Sequence, residues 1–105
     1  MAIIVYLYPM KWMQALTDYQ HYLKIERGLS ENSIKNYVFD VEKLIAFLEV
    51  NNITESPVRI QKETVQQFVY DVAKNLNPRS QARIISGLKS FFNYLVFEDY
   101  REDNP

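Results

Sequence analysis

The chain carries the sequence NPRSQARIISGLKSFFNYLVF at residues 77–97. Asn77 suits the N-cap of a helix and Pro78 its first turn, because proline has no backbone N–H to satisfy there. Apolar residues then recur at the three- and four-residue spacing of one helix face. They are Ala82, Ile85, Leu88, Phe92 and Leu95, with Ile84 and Phe91 widening the stripe. This stretch predicts an amphipathic helix that continues to about Phe97.

Three further helices are predicted upstream. The same periodicity marks a first helix over about residues 9–27 and a second over residues 30–50, for which Ser30 is a suitable N-cap. A loop at residues 53–60 leads to a third helix over about residues 61–76. With only two glycines and four prolines in the chain, long stretches run without turn residues. The predicted fold class is therefore all-α, a bundle of four main helices.

The composition is that of one folded domain. A chain of 105 residues is long enough for one hydrophobic core and too short for two. Hydrophobic residues make up 48% and charged residues 24%, which is inside the globular range. We assign residues 10–105 to this domain and treat residues 1–9 as an apolar N-terminal extension without an assigned function. This start is too short for a signal peptide or a membrane span, so we expect no membrane partner.

The residue types also argue against several kinds of site. The chain has no cysteine, which excludes disulfides, thiolate catalysis and cysteine-ligated zinc, and fits the reducing cytoplasm. His21 is the single histidine, so a metal site would lack ligands. The eight tyrosines are not accompanied by the cluster of cations that a tyrosine nucleophile requires, and no Gly-rich phosphate loop occurs. We expect no catalysis, cofactor, metal or small-molecule substrate in this chain.

The charges are segregated along the chain. The net charge of −1 gives no general attraction to nucleic acid. Residues 72–97 nevertheless contain four basic residues and no acidic one, whereas residues 98–105 carry four acidic residues and one basic. The basic stretch includes the whole predicted fourth helix.

Five polar residues fall in one line on the fourth helix, opposite its apolar stripe, at about 100° per residue. They are Arg79, Arg83, Ser86, Ser90 and Asn93. Arginine offers a charged fork to phosphate, and serine allows close approach while it donates a hydrogen bond. A solvated helix face more often mixes glutamate with lysine, and no carboxylate occurs here. The line is typical of a phosphate-binding surface, and the alternative is an ordinary solvated face.

The second predicted helix has a polar face of a similar kind. Asn32, Lys35 and Asn36 lie away from its apolar stripe, and Ser30 and Ser33 stand in its first turn. Amides, hydroxyls and ammonium groups can all donate to phosphates or base edges, and a helix N-terminus offers backbone N–H groups to an anion. Helix capping alone also explains Ser30.

Two segments resemble one protein family. ERGLSENSIKNY at residues 26–37, followed by Asp40 and by Phe47-Leu48, is similar to the ERGLSxNTxxxYxxDLxxFxxFL pattern in the core-binding domain of tyrosine recombinases, the Xer and phage-integrase group. SQARIISGLKSFFNYL at residues 80–95 resembles the last helix of that domain, SxARxLSALRSFYxYL. The final residues 103–105 match the DNP sequence that leads into the catalytic domain of the family. The resemblance covers about residues 16–105.

This resemblance implies a SAM-like bundle that forms one half of a C-shaped clamp around duplex DNA, with its second and fourth helices facing the DNA. It implies double-stranded DNA and other recombinase protomers as partners in site-specific recombination and integration. The catalytic groups would belong to a domain that follows this one. We predict DNA-binding residues on the two helices: Ser30, Asn32, Ser33, Lys35, Asn36, Arg79, Ser80, Arg83, Ser86, Lys89 and Ser90.

The sequence departs from the family at positions where its members commonly carry arginine. Val38, Phe39 and Ile84 stand there instead, so we expect weak DNA binding by the isolated domain. We expect Phe39 to pack against a neighbouring helix, and contact with a thymine methyl group or a partner domain would also account for it. The leading alternative function is a helical protein-interaction module that uses the same two helices and does not bind DNA.

Overall fold

The computed structural model describes residues 11–98 and 100–102 of the chain. These residues form four α-helices and no β-strand: α1 (Trp12–Ile25), α2 (Glu31–Val50), α3 (Lys62–Ala73) and α4 (Pro78–Phe97). The predicted all-α bundle of four main helices is confirmed. The N-terminal extension proposed for residues 1–9 lies outside the described residues.

Local sequence signals set several helix boundaries. Ser30 caps α2, because its Oγ accepts a 3.3 Å bond from the backbone N–H of Ser33. Asn77 caps α4 through a 2.9 Å bond from the N–H of Ser80 to its side-chain oxygen. Gly28 has a φ of 61°, the left-handed conformation that glycine adopts readily after a helix. The boundaries of α2 and α4 are therefore those that the sequence predicts.

Two helices are shorter than their periodicity predicts. α1 ends at Ile25 rather than at residue 27, because the N–H groups of the next residues bond back to the carbonyls of Tyr22 and Leu23 in a closing turn. α3 ends at Ala73 rather than at residue 76, because the N–H groups of Lys74 and Asn75 bond to carbonyls only three residues back. The apolar pattern in the sequence thus runs a few residues past the end of each helix, into the turn that follows it.

The central pair of the bundle is α2 and α4, with α1 packed chiefly against α2 and α3 chiefly against α4. Aromatic rings join α1 to α4. Tyr19 meets Phe91 edge-on with ring centroids 5.1 Å apart, and the Tyr22 and Tyr94 centroids lie 4.8 Å apart. Pairs of this geometry contribute about 0.5–1.5 kcal/mol beyond the area that they bury. The aromatic cluster fixes which side of α4 faces inward.

The buried side of α4 is turned slightly from the predicted stripe. Ile84 and Phe91, expected at its margin, are fully buried, whereas Ile85 is half-buried and Ala82 is exposed. The placement of Ala82 in the core stripe is wrong, because α4 meets α2 around Gly87 and the rings of α1 around Phe91. The outer face moves by the same small angle.

Glu55 organises the loop between α2 and α3. Its carboxylate accepts a 2.9 Å bond from the backbone N–H of Gln61 and a 2.8 Å bond from the hydroxyl of Thr64. Its own carbonyl accepts a 3.0 Å bond from the indole nitrogen of Trp12 on α1. The loop therefore caps α3 and is held against α1.

Arg101, just beyond α4, fastens the other end of the same loop. It donates to the carbonyl oxygens of Pro57 and Ile60, each at 3.0 Å. Its guanidinium also lies 5.5 Å from the centre of the Phe92 ring. This basic residue of the acidic tail is thus a structural link.

Candidate nucleic-acid interface

The predicted line of polar residues on α4 lies on the outside of the bundle. Arg79, Ser86 and Asn93 are exposed, Arg83 keeps 50% of its side chain exposed, and Ser90 is half-buried. No carboxylate occurs anywhere on α4. The helix therefore presents guanidinium, hydroxyl and amide groups on one side, away from the core.

Arg83 makes an ion pair across the central helix pair. Its Nη2 donates to Oδ1 of Asp40 on α2 at 2.9 Å, and the Asp40 side chain is only 2% exposed. Burial raises the pKa of Asp40 above its ordinary value of 3.8, and the positive charges of Arg83 and Lys43 oppose this rise. A guanidinium has five N–H donors, so one bond to Asp40 leaves donors on the exposed half of the side chain.

Gly87 makes room for this ion pair. A Cβ atom at position 87 would lie 2.8 Å from Cγ of Asp40 and closer still to Oδ2. Glycine in the middle of a helix costs about 1 kcal/mol relative to alanine. The close approach of α4 to the Asp40 side chain accounts for its presence.

Ser90 connects the outer face of α4 to the core. Its Oγ lies 2.9 Å from the hydroxyl of Tyr19 on α1. Burial raises the pKa of Tyr19 to about 12, and the hydrogen bond from Ser90 only partly offsets this effect. The phenol is therefore neutral at physiological pH, and the two hydroxyls share one hydrogen bond.

The polar residues at the start of α2 divide into two groups. Ser30 and Ser33 serve the helix itself, since the Ser30 hydroxyl both caps the N–H of Ser33 and donates to its Oγ at 3.2 Å. Asn32, Lys35 and Asn36 are exposed. The capping role predicted for Ser30 is confirmed, with Ser33 as its partner, and the three exposed donors take no part in it.

A groove of about 510 Å³ joins α4 and α2 to the end of α1. It is lined by Tyr22, Arg27, Tyr37, Ser86, Lys89, Ser90, Asn93, Tyr94 and Phe97, of which none is acidic. The structure thus brings Ser86, Lys89 and Ser90 together. The groove also includes Arg27 and Tyr37, which are not among the predicted site residues, although both belong to the segment at residues 26–37 that carries the family resemblance.

Lys35 and Asn36 lie in a different depression, with Gln20 of α1 and with Phe39 and Glu42 of their own helix. Phe39 is 50% exposed, so the expectation that it packs against a neighbouring helix is wrong. Its position on α2 is turned away from the residues that meet the core.

Lys43 covers part of the Phe39 ring instead, with its Nζ 4.8 Å from the ring centre. Lys35 and Asn36 on α2 therefore line a different depression from Ser86, Lys89 and Ser90 on α4.

Neither a metal-ligand cluster nor a membrane-spanning helix is found in the described part of the chain. Within residues 11–98 and 100–102, no three histidine, cysteine, aspartate or glutamate side chains are grouped as they would be around a metal ion. None of the four described helices has the length and apolar character needed to cross a membrane.

Comparison with known proteins gives the family. The family described as "Phage integrase, N-terminal SAM-like domain" matches residues 16–99. Tyrosine recombinase XerD of Listeria monocytogenes is 32% identical over 91 residues, which are 86% of this chain and 31% of that protein. No solved structure matches the chain.

Two further relatives have the same coverage pattern. A tyrosine recombinase of Pseudothermotoga lettingae is 34% identical over 93 residues, covering 86% of this chain and 32% of its own length. XerC of Lacticaseibacillus casei is 33% identical over 94 residues, covering 89% and 32%. The chain thus spans about a third of the length of these relatives. Because the family match covers most of the chain, this chain belongs to the N-terminal SAM-like domains of phage integrases and tyrosine recombinases.

Proposed function

We propose that this domain binds double-stranded DNA through α2 and α4, as the N-terminal clamp of a tyrosine recombinase that carries out site-specific recombination and integration. The observation that carries the proposal is α4, whose outer face holds Arg79, Arg83 and Lys89 on a helix without a carboxylate. Relatives named tyrosine recombinases support the assignment of the process. We place the protein in the cytoplasm, in keeping with its lack of cysteine.

The contacts that we propose act mainly on phosphates. Arginine and lysine carry their charged groups at the ends of long side chains, where they can reach phosphate oxygens. Contacts to phosphates position a protein on DNA without reading the base sequence. Asn32 and Asn36 on α2 are the exposed amides that could add contacts to base edges. With a net charge of −1 and few cations at the interface, the isolated domain should bind weakly, at roughly 10⁻⁴–10⁻⁶ M.

The reaction itself is assigned to other parts of the parent protein. A tyrosine nucleophile needs cations that stabilise the phosphoryl transition state. In the described residues, Tyr19 and Tyr94 are core residues whose pKa values are raised by burial, which opposes nucleophile formation. We expect supercoiled plasmid to stay supercoiled with this chain, and reproducible relaxation by a clean preparation would contradict the assignment.

Fluorescence anisotropy with unrelated duplexes, at several salt concentrations between about 50 and 200 mM, tests DNA binding. Affinity should fall steeply with salt, because bound phosphates release counterions. Arg79→Ala should weaken binding to all duplexes about equally and reduce the slope of log affinity against log salt by roughly one. Arg59→Ala, in the exposed loop before α3, is the matched control and should leave the slope unchanged.

The alternative, a protein-interaction module, is favoured by one observation. An apolar groove of about 290 Å³ runs between α3 and α4, with Val65, Val69 and Ile85 in its lining and the 69% exposed Tyr70 at its edge. In the DNA-binding proposal, apolar surface of this kind would serve contacts with other recombinase protomers. If duplex binding is absent or insensitive to salt, the interaction module becomes the better assignment.

A further inference from the structure

We propose that Asp40 is a positioning residue for DNA binding, which holds the Arg83 guanidinium at the outer surface of α4 so that its remaining donors face a phosphate. The inference rests on the proposed function and deepens it, since Asp40 is itself buried and would not touch DNA. It assigns a DNA-binding role to a carboxylate, a group that phosphate would otherwise repel.

The geometry fixes Asp40 from more than one side. The residue is 1% exposed and lies on the part of α2 that meets α4. Its Oδ1 accepts the 2.9 Å bond from Arg83, and its Cγ and Oδ2 lie against the α-carbon of Gly87 so closely that no side chain would fit there. The carboxylate is therefore a rigid anchor for a side chain that is otherwise flexible.

The asymmetry of exposure distinguishes this pair from an ordinary cross-link inside a core. Asp40 is 2% exposed at its side chain, whereas Arg83 is 50% exposed. Isolated ion pairs of this sort contribute little net stability, because the buried carboxylate must lose its water. A flexible arginine pays a conformational cost when it binds a ligand, and an arginine already held in place pays less. The bond to Asp40 is thus better suited to ordering Arg83 than to strengthening the fold.

Two substitutions at Asp40 separate positioning from charge. Asp40→Asn and Asp40→Ala remove the same negative charge, so both change the general attraction to DNA equally. Only Asn keeps an oxygen that can accept from Arg83. We expect Asp40→Ala to bind duplex about two- to tenfold more weakly than Asp40→Asn. Its slope of log affinity against log salt should also be lower by up to about one, because the Arg83 contact becomes loose.

The comparison is made on folded protein, with circular dichroism to confirm helix content under the binding conditions. Asp40→Leu, which fills the site and has no acceptor, replaces Asp40→Ala if the latter does not fold. In an Arg83→Ala background, the difference between the Asn variant and the variant without an acceptor should vanish. Asp71→Asn, at an exposed carboxylate on α3, controls for a general gain in charge.

Each result has one meaning. Weaker binding without the acceptor, restored by Asn and dependent on Arg83, supports the positioning role. Equal affinity and equal salt slope for the Asn and Ala variants would overturn it while the proposed function stands. A difference that persists without Arg83 would overturn it as well. If the unmodified chain and Asp40→Asn show no salt-dependent binding to duplex, the proposed function fails and the positioning role fails with it.

Discussion

Two arginines link α4 or the chain just beyond it to other parts of the bundle, and their partners differ. Arg83 meets the buried carboxylate of Asp40 with one bond and keeps half of its side chain in solvent. Arg101 meets the two carbonyl oxygens of Pro57 and Ile60 and lies over the ring of Phe92. We call these the Asp40 junction and the Arg101 junction. The first keeps donors available for a ligand, and the second commits its cation to the loop.

The difference shows what decides the role of a surface arginine. Charge and helix position do not decide it, since both residues stand on or just beyond the same helix. The acceptors that surround the guanidinium decide it. The two loop carbonyls engage the Arg101 guanidinium from the inside of the molecule. The buried Asp40 carboxylate, in contrast, binds one edge of the Arg83 guanidinium, so its other N–H groups face outward.

Within the two junctions, the largest effect on stability is expected when the Asp40 junction is filled. Gly87→Ala should lower the free energy of unfolding by about 3 kcal/mol, at the upper end of overpacking costs, because the added Cβ would overlap the Asp40 side chain. Chemical denaturation measures the loss. In an Asp40→Ala background the same substitution should cost much less, since the overlapping atoms are gone. A full cost in both backgrounds would show that something other than Asp40 requires glycine there.

Removal of Arg101 tests the other junction. Arg101→Ala should lower the free energy of unfolding by about 1.5–3 kcal/mol, because two loop carbonyls lose charged donors. The salt slope of DNA binding should not change. Its place in the acidic tail makes Arg101 look like a neutral control for the binding experiment. Arg101→Ala is unsuitable for that purpose, because it should also destabilise the fold. A change in salt slope with no loss of stability would reverse the distinction between the two junctions.

The pH dependence of stability should come from the Asp40 junction. Below 3.8 the carboxyl is protonated in both the folded and unfolded chains. As the pH rises from 3.8 through the raised pKa of folded Asp40, the unfolded chain loses its proton first. The unfolded chain then gains stability relative to the folded chain. Wild type should therefore lose stability relative to Asp40→Asn over this window, and denaturation curves at several pH values measure the difference. A difference that changes in the opposite direction would mean that the ion pair outweighs burial.

The smallest effects on stability are expected at the exposed residues of α4. Arg79→Ala and Ser86→Ala should each change the free energy of unfolding by no more than about 0.5 kcal/mol, because neither side chain is part of the core. Leu88→Ala, on the buried side, should cost about 2–5 kcal/mol in the same denaturation experiment. Similar losses for Ser86 and Leu88 would mean that the inner and outer faces of α4 are assigned incorrectly.

The fold could be predicted where the signals are local. Ser30 and Asn77 predict the starts of α2 and α4. Each capping side chain accepts from an N–H only three residues away, so the signal is contained in the local sequence. The predicted core includes Ala82, which is exposed, because periodicity locates the buried face of a helix only to within about one residue. The contact of Gly87 on α4 with Asp40 on α2, and the contact of Phe91 with the rings of α1, set the true direction of the buried face. Neither contact is local in sequence.

The two junctions differ in how far the sequence could have revealed them. Asp40 stands among the apolar positions of α2, and a carboxylate there requires a partner. Gly87 inside a helix signals close approach of another chain segment. These two signals together point to the Asp40 junction, although its two charged residues are 43 positions apart. The Arg101 junction left no such trace, because its acceptors are main-chain carbonyls that every residue possesses.

The two carbonyls that accept from Arg101 also tie the chain just beyond α4 to the loop before α3. Two hydrogen bonds and the contact with the Phe92 ring hold the Arg101 guanidinium in one orientation. They therefore restrain the backbone at residue 101 relative to the bundle. In a protein that carries a second binding unit beyond this domain, the effective concentration of that unit would depend on how firmly this link is held. Loss of the Arg101 contacts would then weaken the coupling between linked units without changing the DNA contacts that we propose for α4.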